Sequence, residues 1–230
     1  MATLFDLHVH TTRGSSDSNL RPEELVQEAV RLGLQGVCLT EHGGPWDRHE
    51  FHRFTTGAPV VLVRAMEVET DMGHVLVFGM GGLRQGMLNI QTLRRIVLEE
   101  DGFMVAAHPF RGLLTRPMVG RPLLYRNGGP LPRTPWEAAA HPLFELVDAI
   151  EVANGATSDE ENRFALEVAH YLGLPVTGGS DAHSHHGLGR CVTVFQDPVR
   201  SEEEFLAALR ARRYAPAYRT PDGQVVPFAP

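Results

Sequence analysis

Apolar runs of strand length alternate with segments of helical periodicity along most of the chain. The runs predict strands at residues 6–9, 36–42, 59–69, 74–79, 103–109, 148–155 and 191–195. Apolar positions at helical spacing predict helices that begin near Pro22 and span residues 90–100, 159–172 and 201–213. Strands that alternate with helices form parallel sheets with crossover helices, so the pattern predicts an α/β fold.

Histidines and carboxylates follow the ends of the predicted strands. The first strand carries the stretch DLHVHT, in which His8 and His10 are two residues apart. Alternate strand residues point to the same face, so both imidazoles leave the backbone on one side. In (β/α) barrels the active site lies at the C-terminal ends of the strands. The placement therefore favours a barrel over an open doubly wound sheet.

Candidate metal ligands lie at these strand ends, in the loop after the first strand and in the stretch PVTGGSDAH before the last strand. They are His8, His10, Asp17, His42, Glu67, His74, His108, Asp181 and His183. Mixed imidazole and carboxylate donors suit Mn, Fe or Zn, whereas Mg and Ca prefer oxygen alone. Four protein ligands nearly fill one tetrahedral site, so nine candidates predict two or three divalent metal ions.

Each candidate also has a simpler interpretation when it is considered alone. A single strand histidine is often structural, Asp181 could cap the turn that follows it, and Glu67 could pair with an arginine. The metal interpretation rests on their joint placement at strand ends.

Composition limits the classes of protein that fit the chain. Of the 230 residues, 43% are hydrophobic and 21% are charged, as in ordinary globular proteins, and we expect a single domain over residues 1–230. The net charge of −7 argues against an extended basic groove for nucleic acid. Cys38 and Cys191 lie in apolar runs and are expected to be buried free thiols. Without an apolar run of membrane length or a signal sequence, we expect a cytoplasmic protein with no membrane partner.

A segment at about residues 111–142 interrupts the alternation of strands and helices. It is rich in Pro, Gly and Arg, and segments of this kind are lids, specificity loops or flexible excursions. Arg111, just after the predicted His108 turn, is a candidate phosphate-binding residue because a guanidinium matches phosphate bidentately. An ordinary surface arginine is the alternative.

Together, DLHVHT, LTEHG, ME followed by GHVLVFG, AHP and GGSDAH resemble the PHP (polymerase and histidinol phosphatase) family of phosphoesterases. The matching motifs occur in the family's order from Asp6 to about Phe195, and the chain resembles the small stand-alone members of the family. It implies a distorted (β/α)7 TIM-like barrel and hydrolysis of phosphate esters at a centre of two or three metals. It also implies three ligand sets: His8, His10, Glu67 and Asp181; Glu67, His74 and His108; and Asp17, His42 and His183.

Two positions depart from the pattern of that family. The usual TDH reads TEH here, so we expect Glu41 to act in the layer outside the ligands rather than as a ligand. The acid after the first histidine pair normally comes about two residues before Asp17. Either the loop is longer, or Ser15 takes the usual place and weakens the third metal site.

The expected activity is hydrolysis of a small phosphorylated substrate, a phosphomonoester or a short nucleotide phosphate, by a metal-activated, metal-bridging hydroxide. No protein side chain is identified as the nucleophile, and the oligomeric state stays open. One alternative is a metal-binding module without catalysis. Another is a metal-dependent amidohydrolase, although a carbamylated lysine bridge is excluded because the chain contains no lysine.

Overall fold

The structure is a computed structural model that describes residues 3–115 and 121–229. The strands are β1 (Thr3–Val9), β2 (Gly36–Glu41), β3 (Val61–Thr70), β4 (Gly73–Phe78), β5 (Phe103–Ala106), β6 (Ala149–Asn154), β7 (Val176–Gly179), β8 (Cys191–Phe195), β9 (Tyr214–Arg219) and β10 (Val225–Pro227). The helices are α1 (Pro22–Arg31), α2 (Arg48–Thr55), α3 (Ile90–Glu99), α4 (Pro135–Ala139), α5 (Asp159–Leu172) and α6 (Glu202–Ala211), with short 3₁₀ turns at Leu123–Tyr125 and Pro142–Glu145.

All ten strands belong to one curled sheet in the order β10-β9-β8-β1-β2-β3-β4-β5-β6-β7. β1, β2 and β3 are parallel, as are β5, β6 and β7, whereas β4 runs antiparallel between these two groups. The chain after β7 returns to the end of β1, where Asp181 N–H donates to the His8 carbonyl (2.7 Å) and His10 N–H donates to the Ala182 carbonyl (3.0 Å). The curl therefore brings the C-terminal ends of β1 and β7 together.

The expected α/β fold is confirmed, with one departure from strict strand–helix alternation. Only Asp71 and Met72 separate β3 from β4. A link this short can join only antiparallel neighbours, because a parallel pair needs a crossover of a dozen or more residues. The result is a β3–β4 hairpin, which carries Glu67 and His74 toward the same edge.

Local sequence explains where the main helices begin and end. Pro22 opens α1 at its first position, and the Ser158 hydroxyl caps α5 by accepting from Glu161 N–H. Gly173 ends α5 in the left-handed conformation (φ 66°), which glycine adopts without steric cost. Both helices lay their apolar faces against the sheet.

The sequence pattern did not reveal α2, α4, β9 or β10. α2 is polar apart from Phe51 and Phe54 and begins where the Asp47 carboxylate accepts from the N–H groups of His49 and Glu50. β9 contains Pro216 and small residues, which weaken a strand pattern. Both cysteines are buried and free, as expected. Across the described residues, no helix combines the length and apolar character needed to cross a bilayer.

Part of the 111–142 segment packs against the β3–β4 hairpin. Leu124 and Tyr125 are buried in the core, Arg126 pairs with Glu69, and the Asn127 side chain donates to the Asp71 carbonyl (2.7 Å). Residues 116–120 lie outside the described part of the chain. That the segment acts as a lid stays a prediction.

Candidate metal centre

Four side-chain atoms converge where β1 and β7 end, and we call them the inner group; His8 and Glu67 lie on β1 and β3, and His10 and Asp181 lie just after β1 and β7. They are His8 Nε2, His10 Nε2, Glu67 Oε2 and Asp181 Oδ1. The two histidine nitrogens are 3.1 Å apart, and each lies 3.3–3.5 Å from both carboxylate oxygens. A tetrahedral ion with ligand distances of about 2.0–2.1 Å has its ligand atoms about 3.4 Å apart. The inner group therefore has the dimensions of a site for one divalent metal ion.

Glu67 also contributes to a second group through its other oxygen. Glu67 Oε1 lies 2.8 Å from His74 Nδ1 and 3.0 Å from His108 Nε2. Asp181 Oδ2 lies 3.8 Å from His108 Nε2. Because the two oxygens of Glu67 face different groups, this carboxylate is placed to bridge two cations.

The third group, which we call the outer group, lies on the solvent side. Asp17 Oδ2 is 3.4 Å from His42 Nε2 and 3.3 Å from His183 Nε2. The rings of His42 and His183 each stack on His10, with centroids 4.3 Å apart. The Asp17 side chain is 58% exposed.

The structure thus brings all nine sequence-predicted residues to one place. Asp17 lies beside the two histidines with which the resemblance groups it, although it follows the first histidine pair by more residues than usual. Ser15 does not point into the outer group, since its hydroxyl contacts His10, Glu41 and the His42 N–H.

Backbone geometry at two of these residues is unusual. His108 has φ 29° and Asp181 has φ 54°, in the left-handed region that non-glycine residues rarely occupy. Such conformations cost free energy and concentrate at functional sites. Gly179, two residues before Asp181, has no room for a side chain, because an added Cβ would lie 2.5 Å from His8 Cβ.

A buried carboxylate on β6 holds the ring of His8. Glu151 Oε1 lies 3.0 Å from His8 Nδ1, and Glu151 Oε2 accepts from the His108 N–H (2.9 Å) and from Asn154 Nδ2 (2.9 Å). A carboxylate at Nδ1 fixes the ring orientation and leaves Nε2 for the inner group. Glu151 therefore supports two candidate ligands at once.

A parallel arrangement holds His10. The Ser15 hydroxyl donates to Glu41 Oε2 (2.7 Å), so its oxygen accepts from His10 Nδ1 (3.1 Å) and leaves Nε2 to face the inner group. Glu41 is fully buried and also accepts from Trp46 Nε1 (3.0 Å) and from the Thr11 N–H (3.0 Å). Its place outside the ligand groups agrees with the expectation from the TEH motif.

Sequence reasoning missed two supporting residues, Asp6 and Glu151. The Asp6 carboxylate accepts from the N–H groups of His8 (3.2 Å), Ser180 (2.8 Å) and Gly189 (2.8 Å), which ties β1 to the loop after β7. Burial raises the pKa of Asp6 to about 6. In both cases the signal was a lone acid within an apolar strand, at the face that carries ligands.

The inner group attracts positive charge. Burial alone would raise the pKa of the Glu67 carboxyl, but the charge of His8 and a hydrogen bond from His10 hold that pKa well below its usual range. Burial opposes a charge on His8, yet the nearby carboxylates, led by Asp181, raise the pKa of its imidazole well above the usual value. Protons and metal cations therefore compete for these atoms.

Arg111 lies beside the inner group. Its Nη2 donates to Asp181 Oδ2 and to Asn154 Oδ1 (2.9 Å), and its Nε donates to Thr157 Oγ1 (3.1 Å). Next to it, a cleft of about 240 Å³ is lined by His74, His108, Arg111, Arg121, Leu124 and Leu143, among others. The cleft gives a small molecule room directly beside the second group.

Comparisons with known proteins agree with this geometry. The chain is 29% identical over 240 residues to the error-prone DNA polymerase of Mycobacterium tuberculosis. This match covers 90% of the chain but only 20% of the polymerase. It is 26% identical over 210 residues to a "probable phosphatase" of Caldicellulosiruptor bescii, covering 81% of the chain and 82% of that protein. The chain thus spans about a fifth of the length of the polymerases that it matches.

Solved structures share the fold. A two-domain protein from Bacteroides vulgatus containing a predicted PHP-like metal-dependent phosphoesterase superposes with a TM-score of 0.68 at 21% identity, covering 95% of this chain and 65% of that one. The lesion-specific endonuclease Q of Pyrococcus furiosus gives 0.59 at 19% identity, covering 92% and 56%.

Two family models match separate segments of the chain. The model for the PHP domain matches residues 6–104, and the model for the PHP-associated region matches residues 159–214. The two matches contain eight of the nine residues predicted as ligands, all but His108. The chain belongs to the PHP domain family.

Proposed function

We propose that this protein is a metal-dependent phosphoesterase that hydrolyses small phosphate esters on a distorted (β/α)7 barrel. The inner group carries the proposal, because four donor atoms 3.1–3.5 Å apart have the spacing of one tetrahedral ion. The position of Glu67 between two groups supports a centre of more than one metal.

The donor chemistry fits two or three divalent ions. His8, His10, Glu67 and Asp181 would hold one ion. Glu67, His74 and His108 would hold a second, and Asp17, His42 and His183 a third. Mixed nitrogen and oxygen donors suit Mn, Fe or Zn. When bound, the ions supply Lewis acidity, which lowers the pKa of water and offsets phosphate charge.

The chain's own residues orient the substrate. Arg111 contacts Asp181 through one guanidinium nitrogen and is partly exposed, so it can present its remaining donors to a phosphate oxygen. The cleft beside His74 and His108 would take the organic part of the ester. Glu151 and Ser15 hold the rings of His8 and His10 in place, so that the donor atoms need little rearrangement.

Charge supports a small substrate over long nucleic acid. The net charge of −7 gives no general attraction for a polyanion. Endonuclease Q has been solved with a 27-mer duplex, which makes a nucleic-acid diester the second candidate substrate. A higher rate with long single strands than with mononucleotides would reverse this order.

Metal content and ester turnover, measured on one preparation, test the proposal. The protein is reconstituted with Mn, its metal content is determined by elemental analysis, and p-nitrophenyl phosphate and bis-p-nitrophenyl phosphate are supplied as substrates. We expect two to three metals per chain and turnover of at least one ester.

The alternatives give different results in the same experiment. Bound metal without ester turnover would favour the non-catalytic module. Turnover of p-nitroanilides rather than esters would favour an amidohydrolase. No metal after reconstitution would contradict the whole proposal.

A further inference from the structure

A second cleft lies at the same edge of the sheet as the metal centre. It is lined by Arg163, Arg190, Arg219, Asn154, Thr157 and Tyr218, among others. β6 and β9 end at this edge, and β8, which is antiparallel to β1, begins there. These elements bring together three arginines that the proposed reaction does not use.

Two of these arginines have no acidic partner. Arg163 and Arg190 are exposed, and no carboxylate of residues 3–115 and 121–229 forms an ion pair with either. Arg111 and Arg126, by contrast, pair with Asp181 and Glu69. Of the residues that line the second cleft, three are arginines and one, Asp159, is acidic, so the cleft is net positive in a chain that is negative overall.

Arg219 adds a buried donor. Its Nε donates to the Gly223 carbonyl (3.4 Å) and its Nη2 to the Leu32 carbonyl, whereas its Nη1 is buried and finds no acceptor among the described residues. A buried charged donor without an acceptor is unfavourable, so native proteins rarely leave one. Arg219 also lines the second cleft, so a shift of its guanidinium group toward an anion bound there would give this nitrogen an acceptor.

The second cleft adjoins the metal centre through one layer of side chains. Asn154 and Thr157 line the cleft, and Asn154 Oδ1 and Thr157 Oγ1 accept from Arg111, which contacts Asp181. The first turn of α5 contributes Asp159 to the cleft wall and also carries Glu160 and Glu161, so these carboxylates offset the positive end of the helix dipole. The guanidinium groups of the cleft are complementary to phosphate.

We infer that this second cleft binds a phosphate group, separate from the ester hydrolysed at the metal centre. The phosphate belongs either to a distal part of the substrate or to free inorganic phosphate. Only the first of these sources rests on the proposed function. The binding site itself rests on the three arginines and their surroundings.

Binding is tested with inorganic phosphate. The full chain is titrated by calorimetry after Mn reconstitution and again after chelation, for the wild type and for the double variant Arg163→Gln/Arg190→Gln. The matched control is Arg95→Gln/Arg200→Gln, which makes the same change of net charge at two exposed positions, one on α3 and one just before α6. Circular dichroism and Tm establish that all three proteins are folded.

We expect the double variant to raise the Kd for phosphate by about tenfold or more in the chelated protein, because two direct guanidinium contacts are lost. The control should retain the wild-type Kd. Equal Kd values for the two variants, or no phosphate binding by the chelated wild type, would overturn the inference.

Kinetics then identify the source of the phosphate. kcat/KM is compared for a nucleoside monophosphate and the matching nucleoside bisphosphate. A loss confined to the bisphosphate in the double variant would support a distal phosphate of the substrate. Unchanged kinetics together with lost phosphate binding would support free phosphate. If the wild type binds phosphate in the cleft but hydrolyses no ester, the proposed function fails and the phosphate site remains.

Discussion

The inner group and the outer group lie side by side but are built differently. Every residue of the inner group is at most 5% exposed, and Glu151 and Ser15 hold its two histidines from behind. In the outer group, by contrast, the side chains of Asp17, His42 and His183 are 58%, 34% and 32% exposed. Orientation from a surrounding layer raises metal affinity, and exposure makes exchange with solvent easier. We therefore expect a tightly bound ion in the inner group and a readily lost ion in the outer group.

The largest effect should come from the residue shared by two groups. Replacing Glu67 by Gln removes the charge between His8, His10 and His108, so at least two metal positions weaken together. We expect ester turnover to fall by roughly a thousandfold or more, with a lower metal content by elemental analysis. Retained metal content with unchanged turnover would show that Glu67 is not a bridging ligand.

The next prediction tests whether residues that contact the ligands from behind, such as Glu151, raise the metal affinity of the inner group. Glu151→Gln should weaken binding of the most tightly held metal by about 10–100-fold, because His8 loses its carboxylate partner. The control is Glu161→Gln, a buried glutamate whose contacts lie at Leu114 and Thr115. Chelator competition measures the metal affinity of both variants. Equal losses of affinity in the two would contradict a specific role of Glu151.

Asp17→Asn should affect the outer group alone. We expect the loss of one metal per chain on dialysis and a fall in turnover of about tenfold, smaller than for Glu67, because the inner group keeps all its ligands. Elemental analysis before and after dialysis checks the count. If the tightly held metal is lost instead, the two groups are not independent.

The pH dependence of metal binding should also differ between the inner and outer groups. The pKa of His8 lies well above its usual value because of the carboxylates around it, whereas burial lowers the pKa of His42. Protons therefore compete with metal more strongly in the inner group, and the metal affinity of that group should rise more steeply as the pH increases above the usual imidazole pKa of about 6.5. Competition titrations at several pH values measure both slopes. Equal slopes would contradict this difference.

The smallest effect concerns packing behind the inner group. Gly179→Ala places a Cβ 2.5 Å from His8 Cβ and should reduce the free energy of unfolding by about 1–3 kcal/mol, with weaker metal binding. Gly82→Ala is the control, because nothing lies within 4 Å of its added Cβ. Denaturant unfolding of the two variants should give clearly different midpoints.

The sequence predicted the residues that lie on regular strands better than those set by the packing of distant segments. Strand alternation was enough to pair His8 with His10, and the apolar runs before Glu67 and His108 located the ends of β3 and β5. The direction of β4 was not predicted, because it depends on a turn of only two residues. Asp6 and Glu151 were missed because the contacts that tie them to the site, with the Ser180 N–H and with the His8 ring, join residues more than a hundred positions apart. The distance of Asp17 from His42 likewise depends on a loop path that no periodicity records.

The most direct test of this account is anomalous diffraction from crystals of the Mn-reconstituted protein, recorded near the manganese absorption edge. The account predicts a strong peak about 2.0–2.2 Å from each of the four inner donor atoms, His8 Nε2, His10 Nε2, Glu67 Oε2 and Asp181 Oδ1, and a weaker peak at the outer group. An absent inner peak, or a peak stronger at the outer group than at the inner one, would contradict it.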